Sequence, residues 1–215
     1  MNAEQTALLQ RMLADFSANV ANAGAKLHAD QIAAFAASTA RPWSRATLAG
    51  HLTASAWVLD RTHMHAAMIH HRKLGRGLQP GGHIEDEDAS WRAAAQREVT
   101  EEIGLTKFIA RRDAGHLFDV DAHSIPARLD VPAHFHYDLR FLFVADFEAT
   151  QSTGLKLNAD EAHDCRWFCL ANLANDPALE PSLRRMVELS IRGFNSTDAS
   201  FIKILLTRTL VAAVD

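Results

Sequence analysis

Residues 81–105 read GGHIEDEDASWRAAAQREVTEEIGL, and within them Arg97, Glu98, Glu101 and Glu102 fall inside six positions. On a helix, spacings of three and four return to the same face, so the three glutamates converge on one side. Carboxylates held that close repel one another and raise one another's pKa unless a cation neutralises them. An all-oxygen ligand set favours Mg²⁺ or Mn²⁺, hard ions that keep part of their water shell and commonly bind substrate phosphates.

The flanking residues read as the limits of such a helix. Asp88 is placed to cap its N-terminus, and Gly104 is placed to end it in the left-handed conformation. Between them Trp91, Ala95, Val99 and Ile103 recur every four residues and give an apolar stripe beside the acidic one. Arg97, four residues before Glu101, can hold a carboxylate through a forked hydrogen bond and fix its direction. A glutamate-rich face alone is usually only a solvated face. Here Pro80, Gly81 and Gly82 precede it, a tight turn whose backbone can approach an ion or a phosphate.

This segment resembles the signature of the Nudix (MutT-like) hydrolases: a glycine, a spaced acid, then Arg-Glu-aliphatic-x-Glu-Glu-x-Gly-aliphatic. Gly82, Arg97, Glu98, Val99, Glu101, Glu102, Gly104 and Leu105 match it. One departure stands out: eight residues separate Asp88 from Arg97, where the usual pattern has seven. The segment GHLTASAWVLD followed by HHRKLGRGLQPGGHIE also resembles a bacterial subgroup of unassigned substrate, with Gly77 where a tryptophan is usual. The resemblance spans roughly residues 48–175. It implies an α/β/α sandwich with a mixed sheet, the signature helix lying against the sheet.

The chemistry the resemblance implies is hydrolysis of a diphosphate linkage in a nucleoside diphosphate joined to a further group X. Such a linkage repels a nucleophile by its own charge, which divalent ions offset. Glu98, Glu101 and Glu102 are the expected ligands of Mg²⁺, with Mn²⁺ able to substitute, and the resemblance adds the Gly82 carbonyl. The base is Glu98 or Glu161, the latter in NADEAHDCRW ahead of an expected strand. Arg97 is expected to orient a glutamate. Lys73 and Arg76, just before the glycine turn, could steer a phosphate towards the metals. Two other functions fit the scaffold: a nucleotide-binding regulator without turnover, which the intact glutamates argue against, and an isopentenyl diphosphate isomerase-like activity. The isomerase would call for a catalytic cysteine, and neither cysteine has that context.

Those residues need positioning, and the rest of the chain reads as the frame. With 215 residues there is enough chain for one core of moderate size plus extensions. We expect an N-terminal helical extension over 1–45, a hydrolase domain over 46–192 and a helical tail over 193–215. Helical periodicity marks two helices within 3–40, one through Leu8, Leu9, Met12, Leu13, Phe16 and Val20, the other around Ile32, Phe35 and Ala36. Strands are expected at HLTASAWVLD, HMHAAMIHHR and near 107–121, 135–147 and 163–169, with a helix over about 181–192 and another in ASFIKILLTRTLVAAV.

Twelve histidines are unevenly spread. His134, His136, Asp138 and Arg140 share one face of a strand at period two, and Asp119, Asp121 and His123 can pair across from them. The bland alternative is a hydrogen-bonded, partly exposed sheet face. The sharper one is a substrate pocket, with His136 and Asp138 as binding residues, or an accessory metal site.

A net charge of -4, with only Arg111-Arg112 and Arg184-Arg185 as adjacent arginine pairs, gives no stripe for tracking a nucleic acid duplex. Cys165 and Cys169 alternate onto one face of a strand and read as core thiols. No apolar run approaches a membrane span and no signal-peptide core is visible, so the expected location is cytoplasmic. The expected partner is a small nucleotide-type substrate, and the alanine-rich N-terminal pair leaves a homodimer open.

Overall fold

A computed structural model describes residues 3–71, 76–110, 115–128, 131–149, 155–156 and 162–195. The described parts divide into two compact units, one drawn from Met1–Ala56, Pro80–Glu102 and His116–Leu142, the other from Trp57–Gln79, Ile103–Gly115 and Phe143–Asp215.

In the first unit the expected N-terminal pair forms: α1 (Ala3–Asn19) and α2 (Ala23–Ser38). Helix α1 buries Leu9, Met12 and Leu13, the three- and four-residue spacing of one helical face. Helix α2 buries Ala25, Ala29, Ile32 and Ala36, and these mostly small side chains let α1 come close enough for Gln10 Nε2 to donate to the Ala33 carbonyl at 3.0 Å. Asn22 caps α2 by accepting from the Ala25 amide at 2.9 Å. Helix α1 packs on α2, and α2 also packs on β5 (Asp119–Ile125).

Strand β1 (Gly50–Leu59) is buried along its whole length. Against it lies the short strand β4 (Gly81–His83), antiparallel, with Thr53 opposite His83 and Ala54 opposite Gly82. The sequence reads that segment as a turn; without side chains at 81 and 82 it instead closes tightly on β1 as a strand. Strand β6 (His134–Val144) pairs antiparallel with β5, setting Asp119 opposite Arg140, Asp121 opposite Asp138 and His123 opposite His136. The anticipated polar strip is therefore real. Along β1 and β6 the contacts advance together, from Phe135 N to Ala49 O, through Ser55 to Asp138, to Ala145 N with Leu59 O, so these two run parallel and the sheet is mixed.

The second unit is built on β2 (His65–His71), flanked by β3 (Arg76–Leu78) and β7 (Ala162–Cys169), both antiparallel to it. After β7 come α4 (Leu170–Ala174) and α5 (Pro181–Asn195), the latter where a helix was expected. Here Trp57 Nε1 donates to Ser190 Oγ at 2.8 Å, which satisfies an indole N–H that would otherwise be orphaned in the core. Cys165 and Cys169 lie four apart on β7 and are free thiols, only half-buried and so less enclosed than core thiols.

One boundary differs from the sequence reading. Of the strand expected near 107–121, residues 111–114 lie outside the described residues; among the described ones β5 begins at Asp119, and Phe108 makes a single bridge to Ala145 with its ring 5.2 Å from that of Phe143. The tail helix expected in ASFIKILLTRTLVAAV lies outside the described residues. Among the described residues no helix is long and apolar enough to cross a membrane.

Candidate functional site

The acidic helix is α3 (Trp91–Ile103), and its apolar stripe of Trp91, Ala95, Val99 and Ile103 is fully buried. Ser90, not Asp88, caps it: Ser90 Oγ accepts from the Ala93 amide at 3.1 Å. Asp88 is drawn elsewhere, because Arg97 binds it in a fork, Nε to Oδ1 and Nη2 to Oδ2, both at 3.1 Å. Its Oδ2 also accepts from the Glu85 amide at 2.8 Å, closing the loop despite the extra residue before the arginine. Helix α3 ends as expected at Gly104, whose φ of 71° is the left-handed region that glycine tolerates.

Arg97 is the hub. Besides Asp88 it donates through Nη2 to the His83 carbonyl at 2.8 Å, and through Nη1 to Glu98 Oε1 and Glu101 Oε2, each at 3.0 Å. The Asp88 fork, reinforced by Glu98, holds its pKa well above the usual arginine value despite burial. One guanidinium thus ties the loop after β4 to the helix face and aims two glutamates.

Glu98 and Glu102 are nearly buried, at 8% and 4% exposure, whereas Glu101 is exposed. The Gly81 amide donates to Glu102 Oε2 at 2.9 Å. A methyl group at Gly82 would come within 2.8 Å of the Glu98 carboxyl carbon and of both its oxygens. The glycine is therefore a spatial requirement: it leaves room where a carboxylate meets the strand backbone. Glu98 thus lies against Gly82, Glu102 accepts from the Gly81 amide, and Arg97 joins Glu98 to Glu101.

The remaining candidates fall elsewhere. Glu161 and Lys73 lie outside the described residues, and of Arg76 only the backbone is described, in β3. Asp138 is buried and accepts from Thr53 Oγ1 at 3.1 Å, Ser55 Oγ at 2.7 Å and Arg140 Nε at 2.9 Å. Arg140 also donates to Asp119 Oδ2 at 3.0 Å and lies 3.4 Å from Asp121 Oδ2. Burial alone would lower the Arg140 pKa, but these three carboxylates hold it above the usual value. The network spends the Asp138 carboxylate on internal partners.

His136 lies in a second cluster, with His51 on β1, His83 on β4 and His134 on β6. Ring centroids are 4.7 Å apart for His51 and His136, 5.1 Å for His51 and His83, and 5.2 Å for His51 and His134. Burial, helped by neighbouring positive charge, pushes His51 and His83 down to about 4 and His136 to about 3, so all three are neutral imidazoles at pH 7. The sequence reading missed His51 and His83. Their signal was present in β1, where His51, Thr53 and Ser55 alternate as polar residues along an otherwise apolar strand. That period-two face is the one that meets Asp138 and His136.

A family model described as NUDIX domain matches residues 50–189. Among solved structures, a MutT protein from Methanosarcina mazei Go1 is 15% identical, with a TM-score of 0.48, covering 70% of this chain and 99% of that one. A C. elegans Ap4A hydrolase, in a binary complex, is 13% identical with a TM-score of 0.45, covering 67% and 96%. The NUDIX domain of Shewanella oneidensis NrtR, complexed with ADP ribose, is 16% identical with a TM-score of 0.45, covering 71% and 92%. No curated protein matches the chain.

Proposed function

The chain belongs to the NUDIX family of pyrophosphohydrolases, and from that premise we propose that it cleaves the diphosphate linkage of a nucleoside diphosphate joined to a further group, with Mg²⁺ as its ion and Mn²⁺ able to substitute. The observation that carries this reading is the meeting of the nearly buried Glu98 carboxylate with the Gly82 backbone, under the grip of Arg97. Glu98, Glu101, Glu102 and the Gly82 carbonyl would hold the ion. When bound, it would neutralise the diphosphate and make water a better nucleophile at neutral pH.

The protein's own residues set the geometry of that step. Water attacks one phosphorus, the bridging P–O bond breaks, and each product leaves as a phosphate. Glu98 would take the proton of the attacking water, since its Oε1 is already fixed by Arg97 Nη1. Glu161, just ahead of β7 in the sequence, is the other candidate base. Arg97 would touch neither the substrate nor the leaving group, because its donors are engaged by Asp88, Glu98, Glu101 and the His83 carbonyl. It is a positioning residue.

The test is phosphate release from a panel of nucleoside diphosphate-X compounds with Mg²⁺, coupled to a phosphatase, with Glu98→Gln as the blank. Turnover that disappears with EDTA, returns with Mg²⁺ or Mn²⁺ and falls at least 10²-fold or so in the variant would support the reading. Ligand-induced thermal stabilisation without turnover anywhere in the panel would replace it with a nucleotide-binding regulator.

A further inference from the structure

The histidine cluster is a different kind of site from the acidic helix. His51, His83 and His136 each offer a ring nitrogen, and the three nitrogens lie within 4.8 Å of one another. They come from three strands, β1, β4 and β6. His51 is only 4% exposed, and neither of its ring nitrogens has a hydrogen-bond partner in the protein. Leaving such a group unsatisfied forfeits the hydrogen bonds it made in water, so a buried imidazole without a partner points to a ligand.

His134 adds a fourth nitrogen. Its Nδ1 is 2.9 Å from the Pro132 carbonyl, which makes Nδ1 the protonated nitrogen and turns the lone pair of Nε2 inward. This is the outer-shell arrangement that fixes the tautomer of a metal-binding histidine. Its Nε2 stands 3.2 Å from Nε2 of His136. Two nitrogens bound to one tetrahedral ion at about 2.0–2.1 Å would be separated by about 3.3 Å. Behind them His123 lies 5.8 Å from His136 and is held through Nδ1 to Asp121 at 3.0 Å.

We propose that His51, His83 and His136, with His134 as fourth ligand, bind a borderline-soft divalent transition metal of the zinc type, separate from the ion of the acidic helix. Donor chemistry decides the class. Mg²⁺ and Ca²⁺ take oxygen, whereas an all-imidazole set suits Zn²⁺, Cu²⁺, Ni²⁺ or Co²⁺. Closing the rings from the present spacing to bonding distance needs shifts on the order of 1 Å, within reach of side-chain rotation. The ion would tie β4 to β1 and β6. Because His83 directly follows Gly82 and its carbonyl is held by Arg97, that tie would stiffen the backbone beneath Glu98. The site itself does not rest on the hydrolytic reading.

The experiment uses the full chain, stripped with EDTA and titrated with Zn²⁺ by calorimetry and with Co²⁺ by visible absorption. Expected is about one equivalent of Zn²⁺ and the intense absorption of a tetrahedral nitrogen-bound Co²⁺. Both should persist in Glu98→Gln and weaken at least tenfold or so in His51→Gln and His136→Gln, as loss of a ligand requires. X-ray absorption on the zinc-loaded wild type needs no variant and should give three or four nitrogens at about 2.0–2.1 Å. An all-oxygen shell, or binding lost in Glu98→Gln but kept in both histidine variants, would overturn the proposal. Such results would assign the ion to the acidic helix.

Discussion

Gly82→Ala tests the candidate site through a single methyl group. The added carbon would stand 2.8 Å from the Glu98 carboxyl carbon and both oxygens, where ordinary contact begins at 3.4 Å. The carboxylate must therefore retreat by about 0.6 Å, the difference between the two contact distances. That retreat strains the 3.0 Å bond from Arg97 Nη1 to Glu98 Oε1, which at about 3.6 Å would no longer be a hydrogen bond. A misplacement of about 1 Å in a catalytic constellation can cost 10²-fold, so kcat/KM should fall on the order of 10-fold or more. The backbone gives no separate reason for loss. Gly50, Gly81 and Gly104 carry the positive φ values and Gly82 does not, so alanine is allowed there. Replacing glycine at a permissive site raises stability by about 0.4–1 kcal/mol through the unfolded chain, which offsets part of the contact strain. The assay is steady-state hydrolysis of the best substrate of the panel, paired with thermal melting. Gly115→Ala is the control, since a carbon there meets nothing within 4 Å. Unchanged kcat/KM in Gly82→Ala would refute the idea that Glu98 works at its present position against the strand.

Asp88→Ala removes both ends of the Arg97 fork, and should lower urea-unfolding stability by about 1–3 kcal/mol and reduce turnover with it. Asp88→Asn, which keeps one acceptor, should fall between; equal activity in all three proteins would show that Arg97 needs no anchor in the loop. Acid should destabilise the metal-free protein through the histidine cluster. His51 sits near 4 when folded, against about 6.5 in the unfolded chain, so the unfolded state takes the proton first. Its contribution is complete above about pH 6.5 and is lost as the pH falls towards about 4, a total near 3 kcal/mol for this one group. Melting temperatures followed across that window should drop less steeply in His51→Gln than in wild type; parallel curves would mean that His51 is protonated equally in both states.

What could be read from the chain divides along one physical line, the distance in sequence over which a contact is made. The helix of Arg97, Glu98, Glu101 and Glu102 was legible because 3.6-residue periodicity is a local property, and its apolar stripe is buried as the spacing required. The pairing of Asp119, Asp121 and His123 with Arg140, Asp138 and His136 was legible for the same reason, since alternation along two strands allows few registers. The cap was misassigned because the sequence cannot show competition: Asp88 has the right chemistry for a cap, but Arg97 offers it two charged donors and Ser90 is left to serve the helix. The His51, His83 and His136 cluster was illegible as a cluster, since β1, β4 and β6 bring together residues 32 and 53 positions apart and no local spacing encodes that meeting. The same reasoning explains why substrate identity is hidden while reaction class is not. The carboxylates proposed to hold a cation sit on one helix at fixed spacing, but the groups that would recognise a base, a sugar or X come from loops set by the whole fold.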